Sequence, residues 1–303
     1  MTTTPTRIEQ YLAQVREALG DADPALVQDA LYDAEEYLRS ELAENPGVDE
    51  ATVVARVAQS YGAPEEVAAI YRDTEVKVAK ALRTPEAPPR RSALGRFFGV
   101  IADPRAYAGL LYMVLALVTG IAYFVVAVTG VSLSAGLSIL IIGIPFVILF
   151  VGVVRLLSLV EGRIVETLLG VRMPRRPLYS DRGKPMLQRI GAMFTDPRTW
   201  STLFYMVLML PLGIAYFTIA VTGFALSAGL VASPFAFLLS DGGYIHVDGA
   251  VNFGVPYLPP IIGLPLAFVL GVVLAFVLLH VARGIAGLHG AIAKNLLVKS
   301  AQY

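Results

Sequence analysis

Apolar residues follow two different patterns along this chain. Through residue 75 they recur three and four positions apart among charged residues, the period of a helix that buries one face. Ile8, Tyr11, Leu12, Val15 and Leu19 form one such stripe, opened by Thr6 as a cap and closed by Gly20. Asp23 and Pro24 open a second helix with the stripe Val27, Leu31, Ala34, Leu38 and Leu42, stopped by Asn45-Pro46-Gly47. Asp49 opens a third, carrying Val53, Val54, Val57 and Tyr61 as far as Gly62. Pro64 opens a fourth, with Val67, Ile70 and Tyr71 facing inward. Together these stripes predict a small helical bundle with a thin core. Beyond residue 104 the polar positions thin out, and four runs are long enough to cross a bilayer. They cover about Tyr107–Gly130, Leu137–Val154, Trp200–Gly223 and Leu258–Val281.

The apolar part is duplicated. Asp103–Leu137 aligns without a gap on Asp196–Leu230, and about two positions in three are identical. Each copy opens with Asp-Pro, a cap followed by a first-position proline. Each second span holds a Gly-x-Pro, at Gly143 and Pro145 and again at Gly263 and Pro265. Proline inside a helix removes a backbone donor and bends it, so these residues read as packing kinks, with a moving hinge or an ion site as the alternative. Glycines recur at Gly120 and Gly213 and at Gly130 and Gly223, where they suit close helix packing. Tyrosines recur at Tyr112 and Tyr205 and at Tyr123 and Tyr216 as packing or interface anchors.

The fold class this predicts is all-α. A helical domain occupies residues 1–75, a basic linker and interfacial helix 76–105, and a duplicated membrane domain 106–303. The repeats cover about 94–170 and 187–298, and with two spans each they share one orientation. The second copy carries an insertion at about 231–258. There Tyr244–Val247, Asp248-Gly249 and Ala250–Phe253 predict a small β-hairpin.

Composition agrees with a membrane protein: 56% of residues are hydrophobic and 16% charged, with mean hydropathy +0.64. The formal net charge of +0 conceals a division. Acids outnumber bases about threefold in residues 1–75, whereas 76–105 and 161–198 are basic. The expected outer loops, 131–136 and 224–257, contain no Lys or Arg. The positive-inside rule therefore places both termini and the central loop in the cytosol, at the inner (cytoplasmic) membrane. The acidic first 75 residues contain no apolar leader, so the amino terminus is expected to stay inside.

No cysteine is present, which excludes disulfides and thiolate chemistry. His246, His280 and His289 show no metal-ligand spacing, and the chain has no phosphate loop, nucleophile elbow or paired intramembrane carboxylates. The expectation is a protein without enzyme activity, cofactor or metal.

Three sets of residues stand out as candidates. On the second helix Asp29, Asp33 and Glu36 share a face, with Glu35, Glu41 and Glu44 close by. They form either a solvated surface or a docking surface for a basic protein. In the insertion, Tyr244, His246, Asp248 and Asn252 are the polar groups that would meet a ligand, if the loop is more than a lid. At the end of the second span, Arg155, Glu161 and Arg163 are placed to relay a change out of the membrane, Arg155 snorkelling to the inner face.

Two resemblances attach to these stretches. The Tyr11-Leu12 helix, the acidic Asp33-Ala34-Glu35-Glu36-Tyr37-Leu38 and Tyr61-Gly62-Ala63-Pro64-Glu65-Glu66-Val67-Ala68 resemble the HAAS domain, a bacterial helical signalling domain associated with helix-turn-helix regulators. The usual Leu-Pro between its first two helices is absent. From about residue 94 to 300, the repeated Gly-Ile-Ala-Tyr-Phe, the Gly-x-Pro and the run Arg155 to Gly170 resemble the sensor domain of actinobacterial and related membrane sensors. The second copy reads His289-Gly290-Ala291 where the first has Glu161-Gly162-Arg163.

The resemblances imply a membrane signal-transduction protein that responds to an envelope or hydrophobic stimulus. Its acidic domain would act on a cytosolic partner, a helix-turn-helix regulator, without touching nucleic acid itself. The bilayer is its other partner, and a homo-oligomer is open. A transporter or channel for neutral solutes and a scaffold for a membrane complex are the alternatives.

Overall fold

The computed structural model describes residues 5–82, 92–137, 139, 143–176, 191, 195–241 and 260–298. Among these residues the structure is helical, with no strand. The helices are α1 (Ile8–Leu19), α2 (Pro24–Glu44), α3 (Glu50–Ser60), α4 (Pro64–Leu82) and α5 (Ala93–Phe98). The long ones follow: α6 (Pro104–Leu137), α7 (Gly143–Ile164), α8 (Pro197–Asp241) and α9 (Pro260–Leu297). Each of α6 to α9 contains a stretch long and apolar enough to cross a membrane. Rows of large apolar side chains stay exposed on them, among them Leu111, Val118 and Val125 on α6 and Leu266, Val269 and Leu270 on α9. Such rows suit a hydrocarbon solvent, since water would penalise them. The chain divides into two compact units. The first is Met1–Glu86, Thr129–Tyr205 and Ala291–Tyr303, and the second is Ala87–Val128 and Met206–Gly290.

In the first unit, α1 to α4 form the bundle that the periodicity predicts. Its core comprises Ile8, Tyr11, Val15 and Leu19 from α1, Val27, Ala30, Ala34 and Leu38 from α2, Val53, Val54 and Val57 from α3, and Ala68 from α4. Asp23 caps α2 by accepting from Ala25 N at 2.9 Å. Three differences from the sequence reading appear. Arg7, not Thr6, precedes α1, and Thr6 instead donates its hydroxyl to Gln10 Oε1 at 3.0 Å. Asp49 stands before α3 without a side-chain cap bond. Ile70 is 59% exposed, whereas α4 buries Val67, as expected, together with Ala68. Buried Tyr11 donates to Gly62 O at 2.7 Å, which ties α1 to the turn before α4.

The membrane-length helices differ from expectation mainly at their ends. The helix of α6 continues through 131–136, and α8 runs on to Asp241, so all of the first expected loop and about half of the second are helical. Helix propagation adds one bond per residue, and α8 continues even through Pro234, which removes one of those bonds. The α8 extension also has partners in the second unit: Ser227 donates to Gly271 O at 2.9 Å, and Phe235 meets Phe268 edge-on at 6.3 Å. The two Gly-x-Pro motifs are not equivalent. Buried Gly143 begins α7, so Pro145 lies in the first turn, where its missing N–H has no intrahelical acceptor to lose. Pro265 lies inside α9 and removes a helix hydrogen bond. The expected β-hairpin and its Tyr244, His246, Asp248 and Asn252 lie outside the described residues.

In the second unit α6 and α8 cross at matching positions of the repeat. A Cβ on Gly120 would stand 2.5 Å from Met209 O, and one on Gly213 would stand 2.3 Å from Ala116 O. Ala116 aligns with Met209 as Gly120 aligns with Gly213, so the contact is reciprocal. Only glycine permits that backbone approach. Short α5 is capped by Ser92 Oγ, which accepts from Gly95 N at 2.9 Å. Its Phe97 stacks on His280 of α9 at 5.4 Å, while His280 Nε2 bonds Phe97 O at 3.0 Å.

Candidate functional site: a basic strap on the acidic helix

The acidic face of α2 does not stand free. At the end of α7 the helix widens into a π turn over Val165–Leu169, and Gly170 closes it at φ 70°. That left-handed conformation is one glycine adopts cheaply. The following segment, Val171 to Arg176, runs along α2. Asp29 is only 5% exposed. Its Oδ1 accepts from Arg175 N at 2.6 Å and Arg176 N at 2.8 Å, and its Oδ2 accepts from Arg172 Nη2 at 3.0 Å. One carboxylate thus receives two backbone donors and a guanidinium, the kind of partnering a buried charge requires. Burial pushes the Asp29 carboxyl above its ordinary range, and the Arg176 and Arg175 amides and the Arg172 charge oppose that shift.

Around this point further charges converge. Arg172 also pairs with Glu75 of α4 at 3.0 Å and Glu166 at 3.2 Å. Glu166 takes Arg163 as well, and lies 3.5 Å from Arg175. Arg176 pairs with Asp33 at 3.0 Å and sits 5.8 Å over the Tyr32 ring. Tyr71 donates to the same Asp33 at 2.7 Å; burial, together with that bond, keeps its hydroxyl protonated well above the usual range. Gln28 donates to Arg176 O at 2.7 Å and accepts from Arg198 at the start of α8. Lys294 of α9 pairs with Asp23.

The relay candidates fall near this strap. Arg155 lies 3.7 Å from Asp196, the residue that caps α8. Glu161 is 1% exposed and accepts from Tyr205 Oη at 2.9 Å. Arg163 faces Glu166, one turn away, so Glu161 and Arg163 engage different partners. The second unit repeats two of these contacts at aligned positions. Arg283 pairs with Asp103 at 3.3 Å, and Tyr112 Oη meets His289 Nε2 at 2.5 Å.

Of the proposed docking face, Asp29 and Asp33 are engaged by the strap, Glu35 pairs with Arg39 at 2.9 Å, Glu36 is exposed and Glu41 half-buried. Sequence reasoning did not single out Arg172, Arg175, Arg176 or Arg198. The basic run after Leu168-Leu169-Gly170 was visible, but only as evidence of topology.

Comparison with known families gives two matches. The HAAS family model matches residues 10–70. A second family model, described as "Putative sensor", matches residues 112–297. The chain belongs to that sensor family, and it carries a HAAS domain on a multi-pass membrane domain: a membrane sensor protein. No curated protein and no solved structure matches it significantly.

Proposed function

We propose that this protein transmits a signal across the inner (cytoplasmic) membrane to a cytosolic partner held or released by its HAAS domain. The observation that carries the reading is the seat of Asp29: the chain leaving α7 grips α2 directly, so a displacement of α7 must act on the acidic helix. Both termini and the 171–196 segment lie in the cytosol in this reading, by the distribution of Lys and Arg. The membrane domain consists, in this reading, of two repeats of the same orientation, by the two spans in each copy and the distribution of Lys and Arg. An envelope or hydrophobic stimulus shifts the repeats, and α7 carries the shift through its π turn, a feature often found where helices work.

The partner is a protein with a basic surface, a helix-turn-helix regulator by the HAAS association. The protein itself performs no catalysis, needs no cofactor and does not touch nucleic acid. The strap and the partner then compete for Asp29 and Asp33.

The test is capture of helix-turn-helix regulators by the full-length protein in membranes, wild type against Arg172→Ala/Arg176→Ala. The strap-weakened variant should retain more regulator. Equal capture, or none in either case, refutes the competition. Because the chain has no cysteine, a single Ser60→Cys should react with an impermeant maleimide only from the cytosolic side.

A further inference from the structure

A cavity of about 50 Å³ lies in the first unit, between α7, the start of α8, the end of α9, α2 and the strap. Its walls include Arg155, Ser158, Asp196, Arg198, Thr199 and Thr202, with Gln28 and Met173 at the α2 side. Room for a water begins at roughly 10–15 Å³ on the same scale, so the space suits one small tetrahedral group.

The charges around it do not balance. Among the described residues Asp196 is the one carboxylate on the wall. Its Oδ1 already accepts from Arg198 N at 3.0 Å, and its Oδ2 lies 3.7 Å from Arg155. Arg198 is only 9% exposed. Its guanidinium donates to neutral acceptors, Leu297 O at 2.8 and 3.0 Å and Gln28 Oε1. Among the described residues no carboxylate comes within ion-pair distance of it. A buried guanidinium that bonds only neutral acceptors, with Asp196 beside it but Arg155 close by as well, is costly, and an anion in the adjoining cavity would relieve that cost. The duplicated sequence supplies an internal contrast. Arg105, aligned with Arg198, makes the same backbone bond to its cap Asp103, yet is exposed to solvent. The burial of Arg198 is therefore a property of this cavity and not of the repeat.

We propose that this cavity binds a phosphoryl oxyanion, held by the Arg198 and Arg155 guanidiniums with the Thr199 and Thr202 hydroxyls beside them. The forked donors of arginine match phosphate oxygens. The source is either the headgroup of an anionic phospholipid or free phosphate. Since Gln28 and Met173 share the wall, filling the cavity bears on the α2–strap contact. Only that consequence rests on the signalling reading; binding itself is measured without any partner protein.

The full-length protein is placed in nanodiscs of phosphatidylcholine alone or with phosphatidylglycerol, and in detergent with inorganic phosphate. Thermal unfolding and native mass spectrometry read binding. The wild type should be stabilised by, and retain, phosphatidylglycerol if the source is lipid, or should be stabilised by millimolar phosphate if it is soluble. Either result supports the site. Arg198→Gln should weaken binding about tenfold or more, and Arg105→Gln should leave it within about twofold. Arg155→Gln, on the more accessible wall, repeats the test should Arg198→Gln fail to fold. Absence of any response to both anions, or equal binding by the wild type, Arg198→Gln and Arg155→Gln, overturns the proposal.

Discussion

Replacing Asp29 separates the two ways in which its carboxylate can hold the strap. In Asp29→Ala the amides of Arg175 and Arg176, 2.6 and 2.8 Å from Oδ1, lose their acceptor, while Arg172 keeps Glu75 and Glu166. An orphaned, partly buried donor costs roughly 1–3 kcal/mol, so two of them cost about 3 kcal/mol once some rehydration is allowed. At 1.4 kcal/mol per decade, the undocked population of the strap rises about a hundredfold. Asp29→Asn keeps an acceptor oxygen for both amides. Because burial raises the carboxyl pKa, the neutral side chain is tolerated better here than in the unfolded chain; its new amide nitrogen faces Arg172 Nη2, yet its cost should lie well below that of Asp29→Ala.

Trypsin reports the difference directly, since the Arg172–Met173 bond is cleaved only when the strap leaves α2. When reclosing is faster than cleavage, the rate follows the open population. Cleavage of full-length protein should accelerate about a hundredfold in Asp29→Ala, a few-fold in Asp29→Asn, and hardly at all in Glu41→Gln. Equal acceleration in the Asn and Ala variants would show that charge, not acceptor geometry, holds the strap. No acceleration in either would refute the contact itself.

The same carboxyl sets a pH dependence. With its folded pKa raised, the native state binds more protons than the unfolded state at pH just above 3.8, so this contribution to stability rises as pH falls through that window. Denaturant titrations should show the slope in wild type and its loss in Asp29→Asn. Gly213→Leu should disrupt the α6–α8 crossing, where a Cβ would stand 2.3 Å from Ala116 O, and lower the melting temperature in detergent by several degrees. Gly136→Ala, with nothing within 4 Å, should leave it unchanged. Tyr205→Phe removes the hydroxyl bonded to buried Glu161 and should cost about 1–3 kcal/mol. Adding Glu161→Gln should recover part of that loss in the same melting assay, because a neutral amide is cheaper to bury than a carboxylate that has lost a donor.

Local pattern determined much of this protein. The stripes Ile8 to Leu19, Val27 to Leu42 and Val53 to Val57 fold as they read, because helix periodicity is set by residues within two turns of one another. The four apolar runs and the Asp103 and Asp196 caps were equally legible, since length, hydropathy and a capping carboxylate act within a single segment. Helix ends were less so: Phe224 to Asp241 looked like loop, and what extends α8 there is its contact with α9.

Only the tertiary structure decided that Asp29 and Asp33 face a strap from beyond α7, or that Arg198 is buried while its sequence twin Arg105 is not. Opposite charges attract at short range and without a sequence period. Nothing near Asp29 in the chain announces Arg172, and nothing near Arg198 announces the cavity beside it. The paired prolines illustrate the same limit: identical motifs at Pro145 and Pro265 have different consequences because one begins a helix and the other interrupts one.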